Sequence, residues 1–512
     1  MSASTVASPA LYYIARSTIC VNSKGESVGN GFFVNRDFGA GEAIVTLSRP
    51  LVGSLDIERL FDTCANCYTW MGRFSGGTRL YVPAGITLQK CGGCQRFRYC
   101  SKKCQKEAWS RGHKHECKAL KPMPPAEKII PKAVLACMEL LSRKKRGLIS
   151  DEDWTMLCRL PSHVEDFKRN GNYDNIELMA MGASQFSLTQ TTFDRDFVAA
   201  MYARVLTNSL TLITPTLDPL GIVLDPTLGN LNHSCEPNAY IMMDGPEISV
   251  RTLKTIRKDE EVFISYIDPT SSFPRRQAEL TSRWFFTCKC EKCAKGPTLD
   301  EDMWLSNNQP TRNIDQLDCI KFEAEMFDEY EYAQRVSRND EALMLIRTAM
   351  YSCSSSLQWP LHRQPYAALR DNLILSLLME DEYRDAWMHS AKRYKYIIPK
   401  LYPVHFHPVR VSQTWQMAML ATYLASVQKN DSGLGLNMSL IAMMLVRQVL
   451  DATSLSHGLD NTFTKSVKLK AEEMVEELKN NTTEADMEAM NRELERQRDL
   501  LMDLADWVEF SV

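Results

Sequence analysis

The sequence predicts an α+β protein: a β-rich region split by a cysteine-rich insertion and a helical insert, followed by a long helical domain. Three observations predict it. Strand-like runs broken by Gly and Pro lie on both sides of residues 61–205, cysteines crowd between Cys64 and Cys117, and from about 297 the apolar positions recur at helical spacing. Residues 1–60 read as short strands and turns, with Ile44, Val45, Leu47, Leu51 and Val52 following the turn Phe38-Gly39-Ala40-Gly41-Glu42. Residues 61–118 have little apolar content of their own. Residues 119–205 read as helical, with spacing near 3.6 from Ala133 to Leu141. Residues 206–270 return to strands such as Ile248-Ser249-Val250-Arg251 and Val262-Phe263-Ile264-Ser265-Tyr266. Residues 271–296 end in three cysteines, and 297–512 form the helical domain. There, loops at Pro403–Pro408 and Asn430–Gly435 separate helix pairs in a tetratricopeptide-like pattern without a clean 34-residue repeat. The last helix carries a stripe of Met487, Met490, Leu494, Leu501 and Leu504, with Thr482 or Thr483 as N-cap.

Composition bounds the function. With 512 residues, 44% hydrophobic and 24% charged, the chain is globular rather than fibrous or disordered. A net charge of -3 gives no overall pull towards nucleic acid. No uninterrupted apolar run approaches the ~18–20 residues that span a bilayer. The start, MSASTVASPALYYIARS, lacks the basic and apolar regions of a secretory signal, so a reducing compartment is expected. Disulfides therefore explain the 16 cysteines poorly. Cys20, Cys137, Cys158, Cys319 and Cys353 stand singly and read as small buried hydrophobes.

The other cysteines are grouped. The first series is Cys64-x2-Cys67, Cys91-x2-Cys94, Cys100-x3-Cys104 and His113-x3-Cys117. Eight soft or borderline ligands in four pairs suit two closed, tetrahedral zinc sites, and so polar a segment could hardly fold without metal. His115 competes with His113, but the x3 spacing favours His113. From Arg96 to Lys121 the segment is basic, through Lys102, Lys103, Lys106, Arg111, Lys114, Lys118 and Lys121. Such a surface docks acidic or nucleic-acid partners, or is simply solvated. The order of ligands, Tyr99, Trp109 and the ending His113-Lys-His-Glu-Cys117 resemble the MYND zinc finger. The resemblance implies cross-braced ligation: Cys64, Cys67, Cys100 and Cys104 on one ion, Cys91, Cys94, His113 and Cys117 on the other. The insert between Cys67 and Cys91 is long for that family; Gly76-Gly77 and Tyr81-Val82-Pro83 suggest a hairpin excursion.

A second constellation lies downstream. Residues 230–238 read Asn-Leu-Asn-His-Ser-Cys-Glu-Pro-Asn, followed by Asp259-Glu260-Glu261 through Tyr266 and by Cys288-x-Cys290-x2-Cys293. Three clustered cysteines lack a fourth ligand, and Cys235 is the natural candidate; an open three-ligand catalytic zinc is the alternative. Here the chain resembles a SET-domain lysine methyltransferase. Asn232-His233-Ser234-Cys235 matches its N-H-S-C motif, Glu260-Glu261 to Tyr266 its E-E-x4-Y motif, the last cysteines its post-SET segment, and Gly29-Asn30-Gly31-Phe32 its opening turn. A SET domain split by a MYND finger and followed by helices is the arrangement of the SET-and-MYND (SMYD-type) family; His407-Pro408-Val409-Arg410 and Ser456-His457-Gly458 resemble that family's C-terminal landmarks.

The resemblance implies methyl transfer from S-adenosylmethionine to a protein lysine, with three zinc ions held structurally. It implies Tyr266 as the catalytic channel residue. Val28, Gly29, Asn30, His163, Asn208, Asn232, His233, Tyr266, Trp284 and Phe286 are the implied cofactor contacts. His163 is carried over from Leu160-Pro-Ser-His163-Val, Asn208 from Asn208-Ser209-Leu210-Thr211, and Phe286 as the ring on adenine. Three positions depart from the pattern: Leu210 replaces an aromatic, and Trp284 and Asp225 each replace a tyrosine, which bears on the number of methyl groups added. Asp259 replaces a turn glycine and tolerates positive φ. The rival reading is a catalytically weak scaffold whose finger recruits proline-rich partners in transcription. Direct nucleic-acid binding is a third. Arg143-Lys144-Lys145-Arg146 reads as a nuclear-import signal or a charged helix end. A monomer without membrane contact, in nucleus and cytoplasm, is expected.

Overall fold

The computed structural model describes residues 11–19, 29–72, 85–121, 130–298, 316–355, 359–427, 435–479 and 484–508. The proposed hairpin excursion at 76–83, the N-cap candidates Thr482 and Thr483, Cys20 and Val28 fall outside them. The chain packs as two units: residues 1–73, 81–267 and 278–290 form the first, and residues 74–80, 268–277 and 291–512 the second.

The first unit is built on short strands, of which β5 (Gln89–Lys90) and β6 (Arg98–Tyr99) pair antiparallel within the cysteine-rich segment. β1 (Tyr12–Arg16) pairs antiparallel with β2 (Asn30–Val34), and the Tyr12 ring stacks on Phe32 at 4.4 Å. β3 (Ala43–Leu47) joins the hairpin of β10 (Ala239–Asp244) and β11 (Glu247–Thr252) in the order β10-β11-β3. β4 (Val52–Leu55) lines up with β8 (Pro219–Leu224) and β7 (Leu210–Ile213) in the order β4-β8-β7. β9 (Asn232–His233) and β12 (Phe263–Ile264) pair in parallel. Phe32, Val34, Phe38, Ile44, Val250 and Val262 form the core between these sheets. Asp259 takes φ 65° in the turn before β12 and donates its N–H to Val34 O at 2.8 Å, the positive φ its residue type tolerates.

The helical insert fills residues 130–208. Ser150 caps Asp151–Arg159 by accepting from the Asp153 N–H, and Asp194 caps Arg195–Asn208 through the Phe197 N–H. The helix Lys132–Lys145 buries Val134, Leu135, Cys137, Met138, Leu140 and Leu141 in one core with Cys64, Cys91, Tyr99 and Cys117 of the finger. The finger thus borrows its apolar neighbours from the insert. Arg143 is buried at the end of that helix, donating to Leu51 O and Glu139, and Lys144 reaches Asp151. The basic run is therefore an engaged helix end.

The second unit is a succession of helices: Gln316–Arg335, Asn339–Ser355, Tyr366–Met379, Tyr383–Lys392, Pro408–Val427, Met438–Ser456, Thr462–Lys479 and Glu484–Trp507. Trp387 is fully buried. Met438–Ser456 corrects one expectation: this helix of 19 residues, with an 18-residue window of mean hydropathy 1.3, is long and apolar enough to cross a membrane. Interspersed Ser, Gln, Arg and Thr hid it from a search for unbroken apolar runs. In this unit the helix packs against Pro408–Val427 and Thr462–Lys479, burying Ile441, Ala442, Leu445, Val446 and Val449. On the last helix, Leu501 of the stripe is buried together with Gln497, Ala505 and Val508, and the Gln497 side chain accepts the Asn437 N–H at 2.8 Å. Met490, Leu494 and Leu504 are half-buried.

Candidate functional site

Parallel pairing of β9 and β12 sets Phe263 beside Asn232 and Ile264 beside His233, so two motifs distant in sequence meet side by side. The register is held on by Ser234 N–H, which donates to Ile264 O at 2.9 Å. Tyr266 leaves β12 directly above this pair. Its hydroxyl donates to Leu231 O at 2.6 Å, and its N–H to His233 Nδ1 at 3.0 Å. Its ring lies 5.3 Å from Trp284 and 5.4 Å from His233, while Phe286 lies 6.1 Å from His233.

His233 is a buried link between the two motifs. Its ring is 2% exposed, takes the Tyr266 N–H on Nδ1 and meets Cys235 Sγ with Nε2 at 3.2 Å. The side chain therefore ties the Tyr266 backbone to the cysteine group. Asn232 lies on the opposite side of the strand. Its Nδ2 meets Glu261 Oε1 at 2.7 Å, Asn30 O at 2.8 Å and Ser17 Oγ at 3.1 Å. Gly29 O accepts the Ser17 N–H, so the opening turn and the Asn232 motif share one hydrogen-bonded node.

The segments of Asn208 and His163 are also brought together. Asn208 ends its helix and donates Nδ2 to Pro161 O at 3.0 Å, two residues before His163. His163 takes φ 55°, holds Asp166 through Nδ1 at 2.9 Å and stacks obliquely on Phe285 at 5.3 Å. Phe285 itself has φ 62° and sets its edge against Phe167. The adjacent aromatics Phe285 and Phe286 thus serve different neighbours. Trp284 gives its N–H to Thr207 O at 3.0 Å. Asp225 is a loop anchor: its carboxylate accepts from the Leu51 and Thr227 N–H groups at 3.3 and 2.9 Å. Burial pushes its pKa up, against those hydrogen bonds.

Sequence reasoning missed Glu261 as a node. It is 4% exposed, and its carboxylate takes Ser17 Oγ, Thr18 N–H, Thr18 Oγ1 and Asn232 Nδ2 at 2.8, 2.8, 2.6 and 2.7 Å. A carboxylate inside a motif next to a required glycine was the available signal. A Cβ on Gly31 would lie 2.2 Å from Glu261 Oε1. Phe285 and Ser17 carried no such signal.

Among the described residues, three groups can hold metal: Cys64, Cys67, Cys100 and Cys104; Cys91, Cys94, His113 and Cys117; and Cys235, Cys288, Cys290 and Cys293. Within each, the ligand atoms lie within 4.8 Å of one another. The donor chemistry fits zinc, which takes four thiolate or imidazole ligands tetrahedrally. The hydrogen bond from Cys64 lowers Cys67 to about 5 and raises Cys64. Burial opposes the Cys91 thiolate, but His113 and the Cys94 and Gly93 N–H groups outweigh it and lower Cys91 to about 6. His113, not His115, turns Nε2 to the sulfurs, and Glu116 holds its Nδ1 at 3.2 Å. A carboxylate behind a histidine ligand fixes ring orientation.

Residues 29–267 match the family model described as "SET domain". The chain is 30% identical over 277 residues to "SET domain and MYND-type zinc finger protein 6" of Schizosaccharomyces pombe, covering 53% of this chain and 52% of that protein. It is 28% identical over 246 residues to "Histone-lysine N-methyltransferase SMYD3" of Homo sapiens, covering 45% and 56%. It is 24% identical over 491 residues to "Histone-lysine N-methyltransferase ASHR1" of Arabidopsis thaliana, covering 87% and 93%. The chain spans about half the length of the first two relatives.

Proposed function

We propose that the chain, which matches the SET-domain family model over residues 29–267 and is 30% identical over 277 residues to a SET domain and MYND-type zinc finger protein, is a member of that family and a protein-lysine methyltransferase that uses S-adenosylmethionine. One observation carries this reading: Tyr266, Asn232 and the opening turn at Gly29–Asn30 converge through β9, β12 and Glu261. The cofactor supplies a methyl group on a sulfonium. The chain's residues bind, orient and desolvate. A free lysine has a pKa near 10.4, and its reactive form is neutral. Tyr266, Trp284 and Phe286 surround the entry with aromatic carbon, which disfavours the ammonium form. The bond to Leu231 O fixes the Tyr266 oxygen in place, so it can orient the amine towards the methyl without moving.

We assign three zinc ions to the three groups, each with four protein ligands and a structural role. The substrate is a histone or another protein; relatives carry histone-lysine and N-lysine methyltransferase names. Proline-rich segments at the finger, or nucleic acid on its basic surface, are the proposed further partners, and the proposed state is a monomer in nucleus and cytoplasm. A second reading, a weakly catalytic scaffold, draws on Trp284, whose one N–H is committed to Thr207 O and offers no hydroxyl to the channel.

The test is to incubate the purified protein with labelled S-adenosylmethionine and whole-cell lysate, and to identify labelled bands. Labelled lysine supports the enzyme. Tight cofactor binding by calorimetry with no labelled band supports the scaffold.

A further inference from the structure

We propose that Glu261 is a positioning residue: through Asn232 it fixes an outward amide oxygen that accepts the α-ammonium group of S-adenosylmethionine. The inference rests on the cofactor reading above and deepens it.

The argument starts from donors and acceptors. All three contacts of Asn232 Nδ2 are to oxygens: Glu261 Oε1, Asn30 O and Ser17 Oγ. Turning the amide over would set Oδ1 against a carboxylate and a main-chain carbonyl, neither of which can donate. The amide is thus held one way round. Its Oδ1 then has no protein partner among the described residues, and Asn232 is half-buried, so this oxygen is reachable. An acceptor of that kind beside a fully buried negative charge suits a small cation. The α-ammonium of the cofactor's amino-acid end is such a group, and the Gly29–Asn30 turn tied to the same node is where that end is expected.

Glu261 cannot easily give up this arrangement. Its other oxygen takes the main-chain N–H of Thr18 at 2.8 Å, a donor that cannot rotate into an acceptor. In Glu261→Gln the amide oxygen must stay on the Thr18 N–H. The new NH2 then faces Asn232 Nδ2, donor against donor. Asn232 is driven to turn over and to present NH2 where the ammonium would sit. Glu261 itself touches no cofactor atom in this scheme.

The experiment is calorimetry on the full chain with S-adenosylhomocysteine and its des-amino analogue, which differ by the α-ammonium group alone. The wild type should prefer the amino form by about 10- to 100-fold, the range for a hydrogen bond to a charged group. Glu261→Gln should lose about tenfold or more for S-adenosylhomocysteine and stay within twofold for the des-amino analogue. In an Asn232→Ala background the Glu261→Gln effect should vanish, since the two act as one unit. In turnover, KM for cofactor should rise while kcat at saturating cofactor changes by a few-fold at most. An equal loss for both ligands would make Glu261 a merely structural support and overturn the proposal. No preference in the wild type would remove the ammonium acceptor while leaving the cofactor reading intact. Failure of the wild type to bind either compound would instead overturn the cofactor reading, and this proposal with it. If Glu261→Gln does not fold, Glu261→Asp withdraws the oxygen from Asn232 with the charge kept, and the same ratio is read.

Discussion

Tyr266 carries the sharpest consequence of a single atom. Its hydroxyl donates to Leu231 O, so Tyr266→Phe removes a positioned polar group and little packing. Methyl transfer should fall by ~10²–10⁴, with cofactor affinity within a few-fold and the melting temperature nearly unchanged. A wild-type rate in that variant would move the channel to Trp284. A second single-residue outcome concerns metal. A Cβ on Gly93 would lie 2.5 Å from Cys117 Sγ, closer than atoms tolerate. Gly93→Ala should lower the zinc content of the folded protein by one ion per chain, read by elemental analysis, and leave the other two groups filled.

At the scale of elements, the loop before β9 depends on Asp225. Asp225→Ala strands the N–H groups of Leu51 and Thr227 and should destabilise the protein by about 1–3 kcal/mol in denaturant titrations. In the helical unit, burial first and then Arg370 depress His389 to about 3, and burial depresses His407 to about 4. His389 Nδ1 faces Arg370 Nη1 at 2.9 Å, so the ring is neutral when folded. An unfolded histidine takes its proton near pH 6.5. Stability should therefore be flat above pH 7 and fall as the pH drops from 6.5 towards 4, by up to about 2 kcal/mol per histidine at pH 5. Guanidinium midpoints at pH 7.5 and 5.0 check this, and His389→Gln should shrink the difference. The elements themselves were legible where the pattern is local. Cysteine spacing and the apolar run from Ala133 to Leu141 announce their structure. Asp225 read as a lost tyrosine because its partners are main-chain donors, which no side-chain pattern encodes. His233 and Glu261 were visible as motif letters, but the direction of each side chain depends on β9 meeting β12, a pairing across the chain.

For the whole molecule, the shared core of finger and insert changes what metal removal should do. Cys64, Cys91 and Cys117 pack in one cluster with Leu135, Leu140 and Met201. Chelation should loosen the finger and the helices of 130–208 together, while the helical unit keeps its far-UV signal. Hydrogen exchange before and after chelator reads both. The node at Glu261 adds a consequence in time. Its bond to Ser17 closes a loop of 244 residues, whereas the helices of the second unit form from near neighbours. Loop-closure entropy makes such distant contacts late arrivals on the path to the native state. A refolding chain should regain most of its helical ellipticity first and the capacity to bind a nucleoside ligand in a slower, separate phase. That order makes the newly synthesised chain a helical but chemically silent protein until Ser17 and Glu261 have met.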